Sequence, residues 1–152
     1  MTGPYDYSYV TYVGATPDAV WEALTDAELT GRYWGHRNES DWQPGSRWQH
    51  VRTDGSGVAD VVGTVLVADP PRRLGLTFDS PSDELSDDPS RVTLAIGPFH
   101  DIVRLTVTHE NLQTEQDLRD VQHGWPAVVA NLKTLLETGH TLPQPPWEMP
   151  PD

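Results

Sequence analysis

The segment GWPAVVANLKTLLETG, residues 124–139, has an apolar stripe at helical spacing. Large apolar side chains recur there at steps of three and four residues, at Trp125, Val128, Val129, Leu132, Leu135 and Leu136. Pro126 suits the first turn of a helix and Gly139 suits its C-terminal cap, so the segment predicts a helix over 125–138. Burial of each such side chain is worth roughly 1.5–3 kcal/mol. The chain must therefore contain an apolar surface that covers this stripe.

A series of predicted strands supplies that surface. Runs rich in β-branched and aromatic residues are separated by turns with Gly, Pro and Asp, which predicts strands at 5–13, 47–52, 58–67, 73–78, 91–96 and 102–109. Thr16 and Pro17 are typical of a helix start, so a helix is expected over 16–24 and a second short one over 27–34. The order of elements predicts an α+β fold in which the C-terminal helix packs on an antiparallel sheet.

We expect one domain over residues 1–140, followed by a proline-rich tail over 141–152. The tail TLPQPPWEMPPD has five prolines and cannot continue a helix or pair within a sheet, so it is predicted to be an extended arm anchored by Trp147. The segment 79–90, DSPSDELSDDPS, has five carboxylates and is predicted to be a solvated, mobile loop.

The composition is strongly acidic, with 10 Lys and Arg against 23 Asp and Glu and a net charge of −13 at pH 7. A surface of this sign repels phosphate backbones and anionic lipid headgroups, so neither a nucleic-acid partner nor a membrane partner is expected. The absence of cysteine excludes disulfides, thiolate metal ligands and a cysteine nucleophile. No apolar run approaches the ~20 residues that span a bilayer, and no signal segment precedes the first strand. A cytoplasmic monomer or homodimer is therefore expected.

Five separated segments together resemble one protein family. They are ATPDAVWEALTD, RYWGHRNESDWQPGSRW, ADPPRRL, RLTVTHE and GWPAVVANLKTLLETG, in order between about residues 5 and 140. In these segments the chain is similar to the SRPBCC (START-like) superfamily, and within it to the branch named for the C-terminal domain of the activator of heat-shock-protein-90 ATPase. The resemblance implies a helix-grip fold, in which a curved antiparallel sheet wraps around the long C-terminal helix. It also implies two small helices at one end and a cavity between sheet and helix.

The resemblance implies a ligand cavity but not a shared chemistry. Members of the superfamily bind hydrophobic or amphipathic small molecules, and they include lipid carriers, hormone and polyketide binders, cyclases and co-chaperone modules. The branch that this chain resembles has no shared catalytic motif. No catalytic residue can therefore be transferred to a position of this chain.

Strand parity and helix face select candidate residues for the wall of the cavity. Trp34, Trp42 and Trp48 fall within fifteen residues, where the resemblance places the cavity mouth. One or two of them could stack on a flat ligand, and the alternative is that they are structural packing. His50 has the same parity as Trp48 and could supply a polar contact. The predicted ligand-binding residues are Tyr9, Trp34, Trp48, His50, Val62, Leu76, Leu94, Leu105, Val129 and Leu132.

The sequence offers little for metal binding or catalysis. No histidine pair has the i,i+4 spacing of a helical metal site, so neither a metal nor a cofactor is predicted. Motifs of the GxSxG, P-loop and GxGxxG types are absent, which leaves hydrolase, NTPase and dinucleotide-binding functions without support. Arg104 is expected on the outer face of its strand. The remaining histidines are expected at the surface: His36, His100, His109, His123 and His140.

Three hypotheses follow for the function. The leading one is a non-catalytic domain that binds a hydrophobic or aromatic small molecule between the sheet and the C-terminal helix. The second, of a different class, is a protein-interaction module of co-chaperone type that stimulates a chaperone ATPase. The third is a cyclase or hydrolase whose site would have to be built from scattered Tyr, His and Arg side chains.

Overall fold

A seven-stranded antiparallel sheet and three α-helices form the part of the chain that the computed structural model describes, residues 3–81 and 87–150. In chain order the elements are β1 (Tyr5–Val13), α1 (Pro17–Thr25), α2 (Ala27–Tyr33), β2 (His36–Glu39), β3 (Arg47–Arg52), β4 (Ala59–Asp69), β5 (Arg73–Phe78), β6 (Ser90–Phe99), β7 (Ile102–Leu112), α3 (Glu115–Thr138) and the 3₁₀ turn η1 (Pro146–Glu148). The strands lie side by side in the order β1-β7-β6-β5-β4-β3-β2. Sequential strands from β2 to β7 are therefore neighbours, and β1 closes the far edge against β7.

The helix α3 packs on the concave face of this curved sheet. Its predicted apolar stripe is buried at Trp125, Val128, Val129, Leu132 and Leu135, and partly buried at Leu136. The stripe packs with inward-facing strand residues such as Leu94, Leu105 and Val107. The predicted α+β helix-grip fold is confirmed. In the described part of the chain, none of the helices has the length and apolar character needed to cross a membrane.

The predicted start of the long helix at residue 125 is wrong, because the helix begins at Glu115. Thr114 caps it: the Thr114 side chain accepts from the Asp117 N–H at 3.0 Å, and the Asp117 side chain accepts from the Thr114 N–H at 3.3 Å. Pro126 consequently lies inside the helix rather than in its first turn. The helix does without the hydrogen bond that an N–H at this position would donate, and packing of the apolar stripe offsets that loss.

The sequence prediction also omits β2, a four-residue strand at the edge of the sheet. Its residues, HRNE, lack the apolar alternation that signals a strand. Tertiary contacts hold it in place, since Asn38 pairs with His50 of β3 and its N–H donates to Thr30 Oγ1 at 2.8 Å. The other strands overlap their predicted ranges, although β4 continues to Asp69, β6 to Phe99 and β7 to Leu112, where β7 reaches the start of α3.

A close approach between β4 and β5 depends on Gly63. A β-carbon at this position would lie 1.9 Å from the Thr77 carbonyl oxygen and 2.5 Å from Trp48 Nε1. Because glycine has no β-carbon, the Trp48 indole N–H can donate to the Thr77 carbonyl at 2.8 Å. This hydrogen bond fixes the orientation of Trp48, whose side chain is fully buried.

The C-terminal tail returns along α3. Asn131 of α3 accepts from the Leu142 N–H at 2.7 Å and donates to the Tyr33 carbonyl at 2.9 Å, so one buried amide joins the tail, α2 and α3. Beyond this point η1 places Trp147 partly buried against the core. The tail is predicted to be extended, and its described part contains this one helical turn.

The predicted acidic loop 79–90 is described only at its two ends, and residues 82–86 lie outside the described residues. At its start Asp79 continues the sheet, because its N–H and carbonyl pair with the backbone of Val62 at 2.8 and 3.0 Å. At its end residues 87–89 lead into β6.

Candidate functional site

An open cleft of about 390 Å³ lies between the first half of α3 and the adjoining ends of β4 to β7. Its volume falls within the ~300–1,000 Å³ that is typical of small-molecule sites. The apolar side chains of Val61, Phe78 and Val121 line it together with the polar side chains of Ser90 and His109. The cleft can therefore contact both an apolar body and a polar group of a ligand.

The polar side of the cleft is built around His109 of β7. The residue shares strand parity with Leu105 and Val107, which turns its ring inward, and it is 4% exposed. The prediction that places His109 at the surface is therefore wrong. Its Nδ1 lies 3.1 Å from Trp125 Nε1 of α3, and its Nε2 lies 2.9 Å from Ser90 Oγ at the start of β6.

The indole of Trp125 fixes the direction of every hydrogen bond in this group. An indole N–H can only donate, so His109 Nδ1 must accept and the proton of the neutral ring is assigned to Nε2. Nε2–H then donates to Ser90 Oγ, and the Ser90 hydroxyl donates to the Phe78 carbonyl oxygen at 3.2 Å. Burial lowers the pKa of His109 from 6.5 to about 4, which keeps the ring neutral at pH 7.

This arrangement differs from that of a serine nucleophile and its histidine base. In such a pair an unprotonated ring nitrogen faces the serine hydroxyl and takes its proton. Here the nitrogen that faces Ser90 already carries the proton, and the other nitrogen accepts from Trp125. The pair orients polar atoms in the cleft and does not activate the Ser90 hydroxyl.

We expect the neutral Nε2–H tautomer of His109 to persist from about pH 7 to about pH 5, because burial disfavours the charged ring and Trp125 occupies Nδ1. Long-range ¹H–¹⁵N correlation spectra measure the tautomer directly. The variant Ser90→Ala should keep it, whereas Trp125→Phe should let the ring populate the Nδ1–H form. A wild-type ring protonated on Nδ1 at neutral pH would contradict the assignment.

A layer of aromatic rings lies directly beneath the cleft. Phe78 is its link to the cleft, with its ring centroid 5.3 Å from His109, 5.0 Å from Trp48 and 5.9 Å from Trp125. Trp34 extends the layer at 5.3 Å from Trp125. These are the distances of edge-to-face and tilted ring contacts. The protein's own side chains therefore fill the interior at this end of α3.

Of the ten side chains that the sequence predicts as ligand contacts, nine lie in or against this interior. Val62 does not, because it pairs with Gln49 and so lies on the opposite face of the sheet from Trp48 and His50. Tyr9 and Trp34 are half-buried and pack against the core. The other eight are at most 7% exposed: Trp48, His50, Val62, Leu76, Leu94, Leu105, Val129 and Leu132. The nine other than Val62 are brought together around α3, but none of the ten is among the residues that line the open cleft.

His50 belongs to a second buried polar group, on the β2–β3 side of the aromatic layer. Its ring stacks on His36 with centroids 4.0 Å apart, and its Nδ1 lies 2.6 Å from Asn38 Oδ1. Asp60 contacts both His36, at 2.7 Å, and Arg52, at 2.8 Å. Burial and the adjacent His36 lower the pKa of His50 to about 3, and the hydrogen bonds from Arg52 and His36 lower the pKa of Asp60. Within residues 3–81 and 87–150, no three or more His, Asp or Glu side chains could together hold a metal ion.

Two features of the sequence could have been used to predict part of the cleft. The parity of His109 with Leu105 and Val107 already turns it inward. The pattern Thr-x-x-Asp at 114–117 is typical of a capping box and predicts the helix start that brings Asp117 and Val121 to the cleft. Phe78 and Ser90 carry no comparable signal, since only the register of β5 against β6 places them beside each other.

The comparison with protein families identifies the chain. Residues 14–137 match the family model of the Activator of Hsp90 ATPase homolog 1-like protein. The chain belongs to this family. The match confirms the resemblance to the SRPBCC branch named for that activator. A comparison with functionally curated proteins gave no match.

Solved structures share the fold over almost the whole described chain. CalU16 from Micromonospora echinospora is 25% identical, with 91% of this chain and 77% of that chain covered and a TM-score of 0.71. An HSP90 activator from Plasmodium falciparum is 20% identical, with 87% and 96% covered and a TM-score of 0.71. The Aha1 dimer from Colwellia psychrerythraea is 18% identical, with 89% and 98% covered and a TM-score of 0.74. The last two likenesses show the fold alone.

Proposed function

We propose that this protein binds a hydrophobic or aromatic small molecule in the cleft beside α3, without transforming it. The observation that carries the proposal is the amphipathic cleft of about 390 Å³ above a filled aromatic interior. A ligand there would contact Phe78 and Val121. It would lie above the layer that contains Trp34 and Trp48, so these predicted residues would support the site from beneath.

The hydrogen bonds of the cleft favour binding over catalysis. His109 and Ser90 form hydrogen bonds with each other, and they also form hydrogen bonds with Trp125 and with the Phe78 carbonyl. In the neutral state no proton is free to move between them. Such a satisfied group costs little to bury under a ligand, because it leaves no polar atom without a partner. It therefore suits a rigid wall of a binding site better than the reacting part of an active site.

A neutral aromatic probe, 1-naphthylmethanol, is expected to bind saturably in calorimetric titration. The variant Val121→Phe enlarges a side chain that lines the cleft and should weaken binding by about tenfold or more, equivalent to ~1.4 kcal/mol. The matched control Val10→Phe adds the same ring on the outside of β1, at a side chain that is 45% exposed, and should leave the affinity unchanged. Absence of probe binding to the folded wild type, or equal affinity in the two variants, would contradict the proposal.

A second candidate is a protein-interaction module that acts on a chaperone ATPase. The family description favours it, and so does an exposed apolar surface in which Tyr12 is 54%, Phe99 67% and Ile102 40% exposed. Measuring ATP hydrolysis by an Hsp90-type chaperone with the wild type and with Phe99→Ser tests this surface separately from the cleft. Sedimentation of the same two proteins tests whether the surface joins two copies of the chain.

A further inference from the structure

We propose that the ligand of this cleft is a cationic amphiphile, an aromatic or aliphatic body that carries a protonated amine. This inference rests on the proposed function, since it names the chemical class of the molecule bound in the same cleft. The proposed binding site is the cleft described above. The charges around it determine which molecules of suitable size can enter.

The walls of the cleft carry negative charge. Among its described lining residues, five are aspartates and none is lysine or arginine. Two arginines lie near the rim, and each is paired with a lining aspartate: Arg52 with Asp60 at 2.8 Å and Arg91 with Asp88 at 3.5 Å. Each pair is close to neutral, and Asp120 of α3, which accepts from Gln116, adds a negative charge to the wall of the cleft.

Two further features that could contribute positive potential near the cleft, the N-terminus of α3 and the His109 ring, are both offset. The N-terminus of α3 points its first N–H groups toward this region, but Glu115 and Asp117 occupy the first turn and Asp117 accepts the Thr114 N–H. His109 is a neutral ring whose two nitrogens are occupied by Trp125 and Ser90. An anionic ligand such as a fatty acid or a phosphate ester would therefore meet carboxylates rather than a lysine or arginine among the described lining residues.

The apolar part of the ligand is matched by the floor of the cleft. Phe78 presents a ring, and Val61, Leu112 and Val121 surround it from three different elements. Asp120 lies one residue before Val121 on α3 and also lines the cleft. A molecule whose apolar body lies on Phe78 would thus have carboxylates at its edge, which favours an amine over a hydroxyl or a carboxylate at that edge.

Three probes with one ring system test the charge: 1-naphthylmethylamine, 1-naphthylmethanol and 1-naphthylacetate, titrated calorimetrically into the full chain at about 20 mM salt, where screening is weak. The amine should bind about tenfold or more tightly than the carboxylate, with the alcohol between them. Added salt at about 0.5 M should weaken amine binding and leave the affinity for the alcohol unchanged.

The variant Asp120→Asn removes one lining charge without changing the shape of the side chain. Its Oδ1, which accepts from Gln116 Nε2 at 2.8 Å, is retained in asparagine. Amine affinity should fall about two- to fivefold and alcohol affinity should not change. The matched control Asp101→Asn removes the same charge in the turn between β6 and β7, at the opposite end of that hairpin, and should leave both affinities unchanged.

The outcomes separate this inference from the function on which it rests. If the alcohol or the carboxylate binds as tightly as the amine, the cationic preference is overturned and the ligand-binding function stands. If Asp101→Asn weakens amine binding as much as Asp120→Asn does, the attraction is to the whole acidic protein and the inference is likewise overturned. If none of the three probes binds to the folded chain, the proposed function fails and the inference fails with it.

Discussion

Replacing Leu132 with aspartate is expected to unfold the protein at neutral pH. Leu132 is 1% exposed and packs in the core between α3 and the sheet. The variant removes a buried leucine and leaves an unpaired carboxylate in an apolar interface, and together these effects cost about 5 kcal/mol or more. That is comparable to the whole stability of an ordinary domain, ~5–15 kcal/mol. Circular dichroism and urea unfolding measure the loss.

The control Ala130→Asp makes the same helix acidic two residues earlier, at an exposed position. Its cost should be that of helix propensity alone, below about 1 kcal/mol. If Leu132→Asp unfolds at the same urea concentration as the wild type, α3 does not pack as described. If both variants unfold equally, the loss comes from charge on the helix rather than from the buried interface.

Periodicity predicted the parts of the fold in which one side of an element is apolar. The stripe on α3 has this property, and so do β3 and β5, whose bounds the prediction matches. Periodicity did not predict the elements that are held in place by tertiary contacts or caps instead of by an apolar face. The strand β2 is polar and is held by Asn38, and the first turns of α3 are largely exposed and stabilised by the Thr114 cap.

The cleft was harder to predict than the fold, because parity tells which side chains point inward but not where the packed interior ends. Trp48 and Leu132 point inward, and the structure buries them completely rather than leaving space beside them. The open space lies farther along α3, where the helix extends beyond its apolar stripe toward Asp117 and Val121. Its position depends on the true start of the helix, which the prediction misplaced.

Mild acid is expected to destabilise the fold well before the carboxylates titrate. His50 and His109 are 7% and 4% exposed, and burial lowers their pKa values from 6.5 to about 3 and about 4. Below pH 6.5 the unfolded chain therefore binds protons that the folded chain does not. The free energy of unfolding consequently falls as the pH falls, and it continues to fall until the folded-state pKa of each ring is reached.

The expected loss is large over a narrow range of pH. Each buried histidine removes up to about 1.4 kcal/mol per pH unit, so the pair removes up to about 4 kcal/mol between about pH 6.5 and 5. Asp60 and Glu137 also have lowered pKa values, from ordinary values of 3.8 and 4.5, because of hydrogen bonds from Arg52 and Lys133. Their stabilisation is lost only as the pH falls below those ordinary values, so it does not overlap this range. Urea unfolding at several pH values gives the slope.

The dependence of the free energy of unfolding on pH, rather than its value at one pH, shows whether the two buried histidines cause the loss of stability. The variants His50→Gln and His109→Gln should each remove about half of the slope between about pH 6.5 and 5, even though each also lowers stability at neutral pH through lost packing. His140→Gln, at an exposed position beyond the end of α3, should leave the slope unchanged. A free energy of unfolding that stays constant over this range in the wild type would mean that the folded protein accepts protons on these rings. The neutral Nε2–H state of His109, and with it the inactive Ser90 hydroxyl, would then no longer hold.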